Sequence, residues 1–411
     1  MEAARAYLDQ KDFSSMARGL MGDSRYAPAA QCFDFLKHTV ESGRLVVYFS
    51  WCHIVESLRY YDLSSPLWLK HCEIVDILSK GNCIVFPTLV RERELELFLS
   101  AQFGFKSEIP RNDYPYGKYA DAVNVSEVSV GPFRESFKEA FLERLDRLGL
   151  SGRQKKMLLK KAQKKSFMAE TLNQLSDQDY EGLILGTTSS SAPRGFIEDL
   201  RTVVDRKKFT DFVLGTPAQR KAILEQFLNH IFQFRRLVNV YGESMPQLKR
   251  VSGIAEGFLT KFGPIVETSQ TLEKFFGKSA IDEDTFMQKL THRFINSLRP
   301  QINKYARKYR FPAKEAEKIL YDSRLRPIPS LYSNVIFAGE YVKKHKGTYE
   351  RGRKPRESDL LDLYHLLCLP YVDVYLTDGF FAELAVNLAE KMFGTTVLRN
   401  LTALKAFLEE K

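Results

Sequence analysis

Short, unbroken apolar runs stand at the two ends of this chain, and longer amphipathic stretches fill the rest. Leu45-Val46-Val47-Tyr48-Phe49 and Cys83-Ile84-Val85-Phe86 are apolar without alternation, the pattern of strands buried on both faces of a parallel sheet. Ala4 to Leu8 is a shorter run that delivers Asp9. Helical periodicity follows over Phe13 to Met21, over Ala30 to Ser42 before Gly43, over Leu67 to Ser79 before Gly81, and from Pro87 through Phe103. Strand and helix in this alternation predict a parallel α/β sheet with right-handed crossovers. Two more strands are predicted late, at Val372 to Leu376 and Thr395 to Leu398, around a helix from Phe380 to Phe393. The sheet is therefore split, with three strands before residue 105 and two after residue 370.

The middle of the chain has a different period. Phe133, Phe137, Phe141, Leu145 and Leu148 recur at helical spacing, and Gly and Pro punctuate similar stretches at Gly186 to Pro193, Gly215 to Pro217 and Gly263-Pro264. The expected organisation is a first α/β part at 1–105, a connecting loop at 106–132, an all-helical insertion at 133–330 and a second α/β part at 331–411. Within the last part, Lys343 to Glu357 reads as a basic hairpin or loop. Ser358 then reads as the N-cap of a helix carrying Asp359, Asp362 and His365.

Composition narrows the class. A hydrophobic share of 44% is ample for packed cores. The first residues lack the apolar stretch of a signal peptide, and no run is long enough to span a bilayer. The five scattered cysteines form no Cys-x-x-Cys pair. They are expected to be buried thiols in a reducing cytoplasm, without disulfides or a zinc site. A net charge of +10 favours polyanionic partners.

The candidate chemistry lies at strand ends. Asp359, Asp362 and His365 share one helix face at i, i+3 spacing. Asp378 follows the strand ending at Leu376, where parallel sheets place ligand-binding residues. Carboxylates that converge repel one another until a cation neutralises them, which points to Mg²⁺ or Mn²⁺ held by oxygen. Aspartates at this spacing are otherwise an ordinary solvated face.

Asp9 ending the first strand, Glu56 on the helix after the second, and Asp362 and Asp378 flanking the fourth together resemble the PIN nuclease domain. More narrowly, Tyr7-Leu8-Asp9-Gln10, Ser50 to Ser57 (SWCHIVES) and Ser358 to Asp378 (SDLLDLYHLLCLPYVDVYLTD) are similar to a bacterial PIN-like group. That group carries Leu-Asp-Gln early, and late in the chain Asp-x-x-His followed by Pro-Tyr-x-Asp-x-x-x-Thr-Asp. The resemblance covers residues 4–105 and 355–400 and leaves the helical middle outside. It implies a five-stranded parallel sheet in the order 3-2-1-4-5, with strands one and four adjacent. It also implies metal-dependent cleavage of phosphodiester bonds, typically in RNA. Asp9, Glu56, Asp362 and Asp378 would be its acids and metal ligands. Two positions depart from the group: Lys11 stands where Asn is usual, and Ser15 where a further carboxylate is common.

Each candidate also has a plainer reading. Asp9 is otherwise a turn aspartate and Glu56 a helix-surface acid. Asp359, a further metal candidate, otherwise complements the helix dipole, and Asp373 either faces the site or pairs with a lysine. Lys11 either competes with a metal or contacts a phosphate. His53 and His365, each three residues from an acid, either orient a carboxylate or are satisfied core histidines. Three basic runs are candidate nucleic-acid contacts: Lys156, Lys160 and Lys164 at i, i+4 spacing; Lys304, Arg307 and Lys308 with Tyr305 and Tyr309 interleaved; and Arg351, Arg353 and Lys354. On a helix the first run is otherwise a solvated face. Asp177 to Gly182 lacks the terminal Glu of a calcium loop, and Gly186 to Ser191 lacks the Gly-Lys-Ser/Thr ending of a phosphate loop.

The expectation is a cytoplasmic Mg²⁺- or Mn²⁺-dependent endoribonuclease that acts on RNA in preference to DNA. The helical insertion would select the substrate, or bind a protein inhibitor or regulator, and no membrane is involved. By analogy of architecture, such a protein fits a toxin or antiviral-defence effector. The alternative is a catalytically inactive PIN-like module that binds nucleic acid or protein.

Overall fold

The computed structural model describes residues 2–60, 65–107, 115–122, 283–349 and 357–410, with a few residues between 151 and 238. The chain divides into two compact units, Met1–Lys118 with Leu248–Lys411, and Tyr119–Gln247. In chain order the first unit contains β1 (Ala4–Tyr7), α1 (Gln10–Leu20), α2 (Ala27–Glu41), β2 (Leu45–Tyr48), α3 (Trp51–Tyr60), α4 (Pro66–Ser79), β3 (Cys83–Ile84), α5 (Pro87–Phe103) and β4 (Tyr116–Gly117). It resumes with α6 (Glu283–Tyr309), α7 (Ala313–Asp322), α8 (Pro329–Tyr349), α9 (Glu357–His365), β5 (Val374–Leu376), α10 (Gly379–Phe393), β6 (Thr396–Leu398) and α11 (Leu401–Glu410). The described residues of the second unit include a 3-10 turn at Tyr119–Ala122 and the buried Phe234, Leu237 and Val238.

The late segment closes the early sheet. β1 pairs in parallel with β2 on one side and with β5 on the other, and β5 pairs in parallel with β6. The four-stranded order is β2-β1-β5-β6. Consecutive residues Ala6 and Tyr7, Val47 and Tyr48, and Val374 and Tyr375 are all buried, so helices cover both faces, as the unalternating apolar runs require.

Several expectations are corrected. The run Cys83 to Phe86 forms only a two-residue strand. A single parallel bridge from Phe49 to Cys83 links it to the end of β2, and β3 otherwise pairs antiparallel with β4. Val85 N–H donates to Pro115 O at 3.0 Å, and Pro87 opens α5, so the chain leaves the sheet early. β4 lies inside the stretch read as a connecting loop. The expected loop at Lys343 to Glu357 is helical through Tyr349 as the end of α8, and α9 starts at Glu357, so Ser358 is within it.

The helices from residue 283 onward belong with the sheet. Leu95 and Leu99 of α5 share a buried core with Ile295, Leu298 and Ile302 of α6, Leu320 of α7 and Leu331 and Val335 of α8. All five cysteines are buried thiols outside any disulfide. Among the described residues, no helix is long and apolar enough to cross a membrane.

Candidate carboxylate site

Two of the acids are placed by the way strands hand over to helices. Asp9 follows β1 and caps α1; its Oδ1 accepts from Lys11 N–H at 3.3 Å. Asp378 follows β5 and caps α10; its Oδ1 accepts from Phe381 N–H at 3.0 Å. Because β1 and β5 are adjacent, the two caps open at the same end of the sheet, the carboxyl end where ligands bind in parallel folds. Glu56 is buried on α3, and the half-buried Asp362 lies on α9, which packs against α3.

The four carboxylates repel one another. The Asp362 carboxyl is pushed well above the usual range by burial first, and then by Asp9, Glu56, Asp378 and Asp359. Asp9 is also raised, by burial and then by Glu56, while His365 and Lys11 pull it back. Acids from four different elements, remote in sequence, thus share one electrostatic neighbourhood.

Beneath them runs a buried polar network. His365 stands one turn after Asp362. Its Nε2 lies 3.1 Å from Glu56 Oε2, and its Nδ1 lies 2.5 Å from the Tyr7 hydroxyl. Tyr7 in turn meets Ser50 Oγ at 2.6 Å. His53 Nδ1 accepts from Ser50 N–H at 3.0 Å, so its Nε2 carries the proton donated to Leu8 O at 2.8 Å. That carbonyl immediately precedes Asp9. Burial, then His365, push His53 well below the ordinary histidine range and keep it neutral. His365 is raised: burial opposes its charge, and Glu56 and Asp9 outweigh that. When protonated, His365 donates through Nδ1 to Tyr7, and its Nε2 faces Glu56 Oε2 across 3.1 Å as an ion pair without an aligned hydrogen bond. The network therefore joins β1, α3 and α9, three of the elements that carry the acids.

The remaining candidates separate. Asp359 is fully buried and accepts from the Tyr341 hydroxyl at 2.8 Å, so this acid ties α9 to α8. Asp373 precedes β5, at the other end of that strand from Asp378, and takes a forked ion pair from Arg5 at 2.8 and 3.2 Å. It also accepts the Arg5 backbone N–H at 2.8 Å. It is an ion-pair residue, with Arg5 as its partner in place of the expected lysine. Lys11 Nζ lies 3.7 Å from Asp9 Oδ2.

Sequence reasoning passed over Asp12. This residue is buried, its carboxyl accepts the Asp9 backbone N–H at 3.3 Å, and the two form a capping box. Burial, then the Asp9 charge, push it up to about 8. The Asp9-x-x-Asp12 spacing at a helix start was the signal for it.

Of the basic candidates, Lys156 is exposed on a helical turn, and Lys304, Arg307 and Lys308 are exposed on α6. Tyr305 and Tyr309 do not offer rings to bases. Tyr305 is buried and donates to Glu96 at 3.0 Å, and Tyr309 stacks on Phe105 at 3.9 Å between centroids. Packing against α5 claims that side of α6. Lys160, Lys164, Arg351, Arg353 and Lys354 lie outside the described residues.

The donor set fits a hard divalent cation, since it is entirely carboxylate oxygen. Glu56 Oε2 is buried and, despite the nearby His365, has no aligned hydrogen bond. Among the described residues, no three His, Cys, Asp or Glu side chains already stand close enough to enclose an ion. Mg²⁺ commonly keeps several waters and is held directly by one or two carboxylates. Compared with family models, with curated proteins and with solved structures, the chain matches none.

Proposed function

We propose that this protein is a metal-dependent nuclease of PIN-like architecture, acting as an endoribonuclease through Asp9, Glu56, Asp362 and Asp378. The observation that carries the reading is placement: Asp9 and Asp378 cap helices at the carboxyl ends of the adjacent β1 and β5, and Glu56 and Asp362 lie on the packed helices α3 and α9; the raised Asp362 carboxyl accords with their proximity. A chain that gathers buried and half-buried like charges from four elements gives up stability, and binding a cation recovers it. The parallel bridge at Phe49 and Cys83, beside the order β2-β1-β5-β6, supports a fifth strand and the order 3-2-1-4-5.

In this reading Asp9 and Asp378, fixed by their helix caps, and Asp362 supply oxygen ligands. His365, anchored by Tyr7, holds Glu56 in place toward them. The bound Mg²⁺ or Mn²⁺ would supply an activated water and stabilise charge on the non-bridging phosphate oxygens. Lys11, beside Asp9, would be available to a substrate phosphate.

The same lysine supports a second reading. Its ammonium already offsets the Asp9 charge, which suits a catalytically inactive module that binds nucleic acid or protein. Cleavage of single-stranded and structured RNA, with DNA alongside, separates the two in Mn²⁺ and in EDTA. The nuclease reading expects cleavage by wild type in Mn²⁺ only, and at least about 100-fold less by Asp378→Asn, which keeps the helix cap. Cleavage that persists in EDTA or in the variant refutes it, and RNA binding without cleavage favours the module.

A further inference from the structure

Of the basic stretches of this chain, one lies wholly on described elements. Residues 287–326 contain eleven Lys and Arg against three Asp and Glu, a net +8 within a chain whose total is +10. From residue 285 to the end of α6 there is no acidic residue at all. Packing then sorts the cations. At 3.6 residues per turn, Lys289, Arg293, Lys304, Arg307 and Lys308 fall within a sector about 100° wide, and all five are exposed. Ile295, Leu298, Ile302 and Tyr305, on the opposite side of the same helix, are buried against α5, α7 and α8. Between the two basic clusters the exposed residues are the neutral Asn296, Ser297 and Pro300 and Arg299, which turns to α7 and forks onto Glu317 at 2.9 and 3.0 Å.

We propose that this face of α6 is a binding track for a nucleic-acid backbone, read through its phosphates and without base specificity. Lys289 to Lys308 spans about 28 Å at 1.5 Å per residue, the length of several consecutive phosphates. A helix lying on a membrane would present large apolar side chains beside its lysines, and no large hydrophobic residue of the described part of α6 is exposed. The inward Tyr305 and Tyr309 remove base stacking, leaving charge as the means of recognition. As the route that brings substrate to the carboxylates the track rests on the nuclease reading. As a binding surface it does not.

The test is titration of fluorescein-labelled RNA and DNA of equal length, single- and double-stranded, over a salt series in EDTA. Full-length wild type is compared with Lys304→Gln/Arg307→Gln/Lys308→Gln. Loss of three phosphate contacts lowers the slope of log K against log salt by about 2 to 3 and weakens binding at 50 mM salt by more than about 10-fold. A control, Lys37→Gln/Lys391→Gln/Arg399→Gln, removes the same net charge from exposed sites elsewhere and is expected to bind nearly as wild type. Equal losses in both triple variants, or no change in slope in the first, overturn the proposal. Competition by polyglutamate as strong as by RNA at matched charge also overturns it, in favour of an acidic protein partner. Because metal is absent throughout, the result stands whether or not the protein cleaves.

Discussion

Asp12→Asn gives the sharpest test of how the carboxylate end of the sheet is strained. Asp12 lies buried against Asp9, and its carboxyl is pushed up to about 8 from an ordinary 3.8. The folded chain therefore retains a proton that the unfolded chain releases above pH 4. Stability from this residue is fully present below pH 3.8 and declines as pH rises toward 8, beyond which the difference is constant. At pH 7 the gap of 3.2 pH units corresponds to about 4 kcal/mol, at about 1.4 kcal/mol per unit. Asparagine cannot ionise, and its amide oxygen still accepts the Asp9 N–H, so the capping box keeps that bond. The variant is expected to gain up to about 4 kcal/mol over wild type at pH 7 and almost nothing at pH 3.5. Urea unfolding of both proteins at half-unit steps from pH 3.5 to 9 measures this. A stability difference that stays flat across that range refutes the reasoning, because it would show that Asp12 is ionised in the folded state.

Metal is expected to stabilise wild type by about 2.7 kcal/mol at 100 times its dissociation constant, seen as a rise in melting temperature with Mn²⁺. Asp362→Asn, which relieves the repulsion from its four acidic neighbours, should melt higher than wild type without metal and respond little to it; an unchanged Mn²⁺ response would count against a ligand role. His71, which burial depresses to about 3, stays neutral when folded while the unfolded chain protonates below about 6.5. That costs about 2 kcal/mol between pH 8 and pH 5, and His71→Gln should show a correspondingly shallower acid loss in thermal melts. Asp373→Ala removes the acceptor of both the Arg5 guanidinium and the Arg5 N–H. A stability loss of about 1–3 kcal/mol is expected with RNA cleavage per folded molecule unchanged; a selective loss of cleavage would put Asp373 in the site.

What the sequence determined by itself was local. The apolar run at Leu45 and the β-branched and aromatic run at Val372 located β2 and β5, and Asp9 and Asp378 were legible as acids just past the first and fourth strands; that both cap helices was decided by the structure. The strands are legible because a buried strand is set by a few adjacent residues. Pairing and packing were not legible. That Asp373 would meet Arg5 across 368 positions, that Tyr305 and Tyr309 would turn inward while Lys304 and Lys308 faced water, and that β3 would keep only one bridge to the end of β2 and pair with β4 all depended on which surfaces came together. The same holds for the network from Glu56 through His365 and Tyr7 to Ser50. Its members lie on four segments, and a hydrogen bond between residues hundreds of positions apart has no periodicity to read. Periodicity sets which face of an element is apolar; the tertiary structure alone chose the neighbour for that face, and with it the burial and acidic neighbours that raise the carboxyls of Asp9, Asp12 and Asp362.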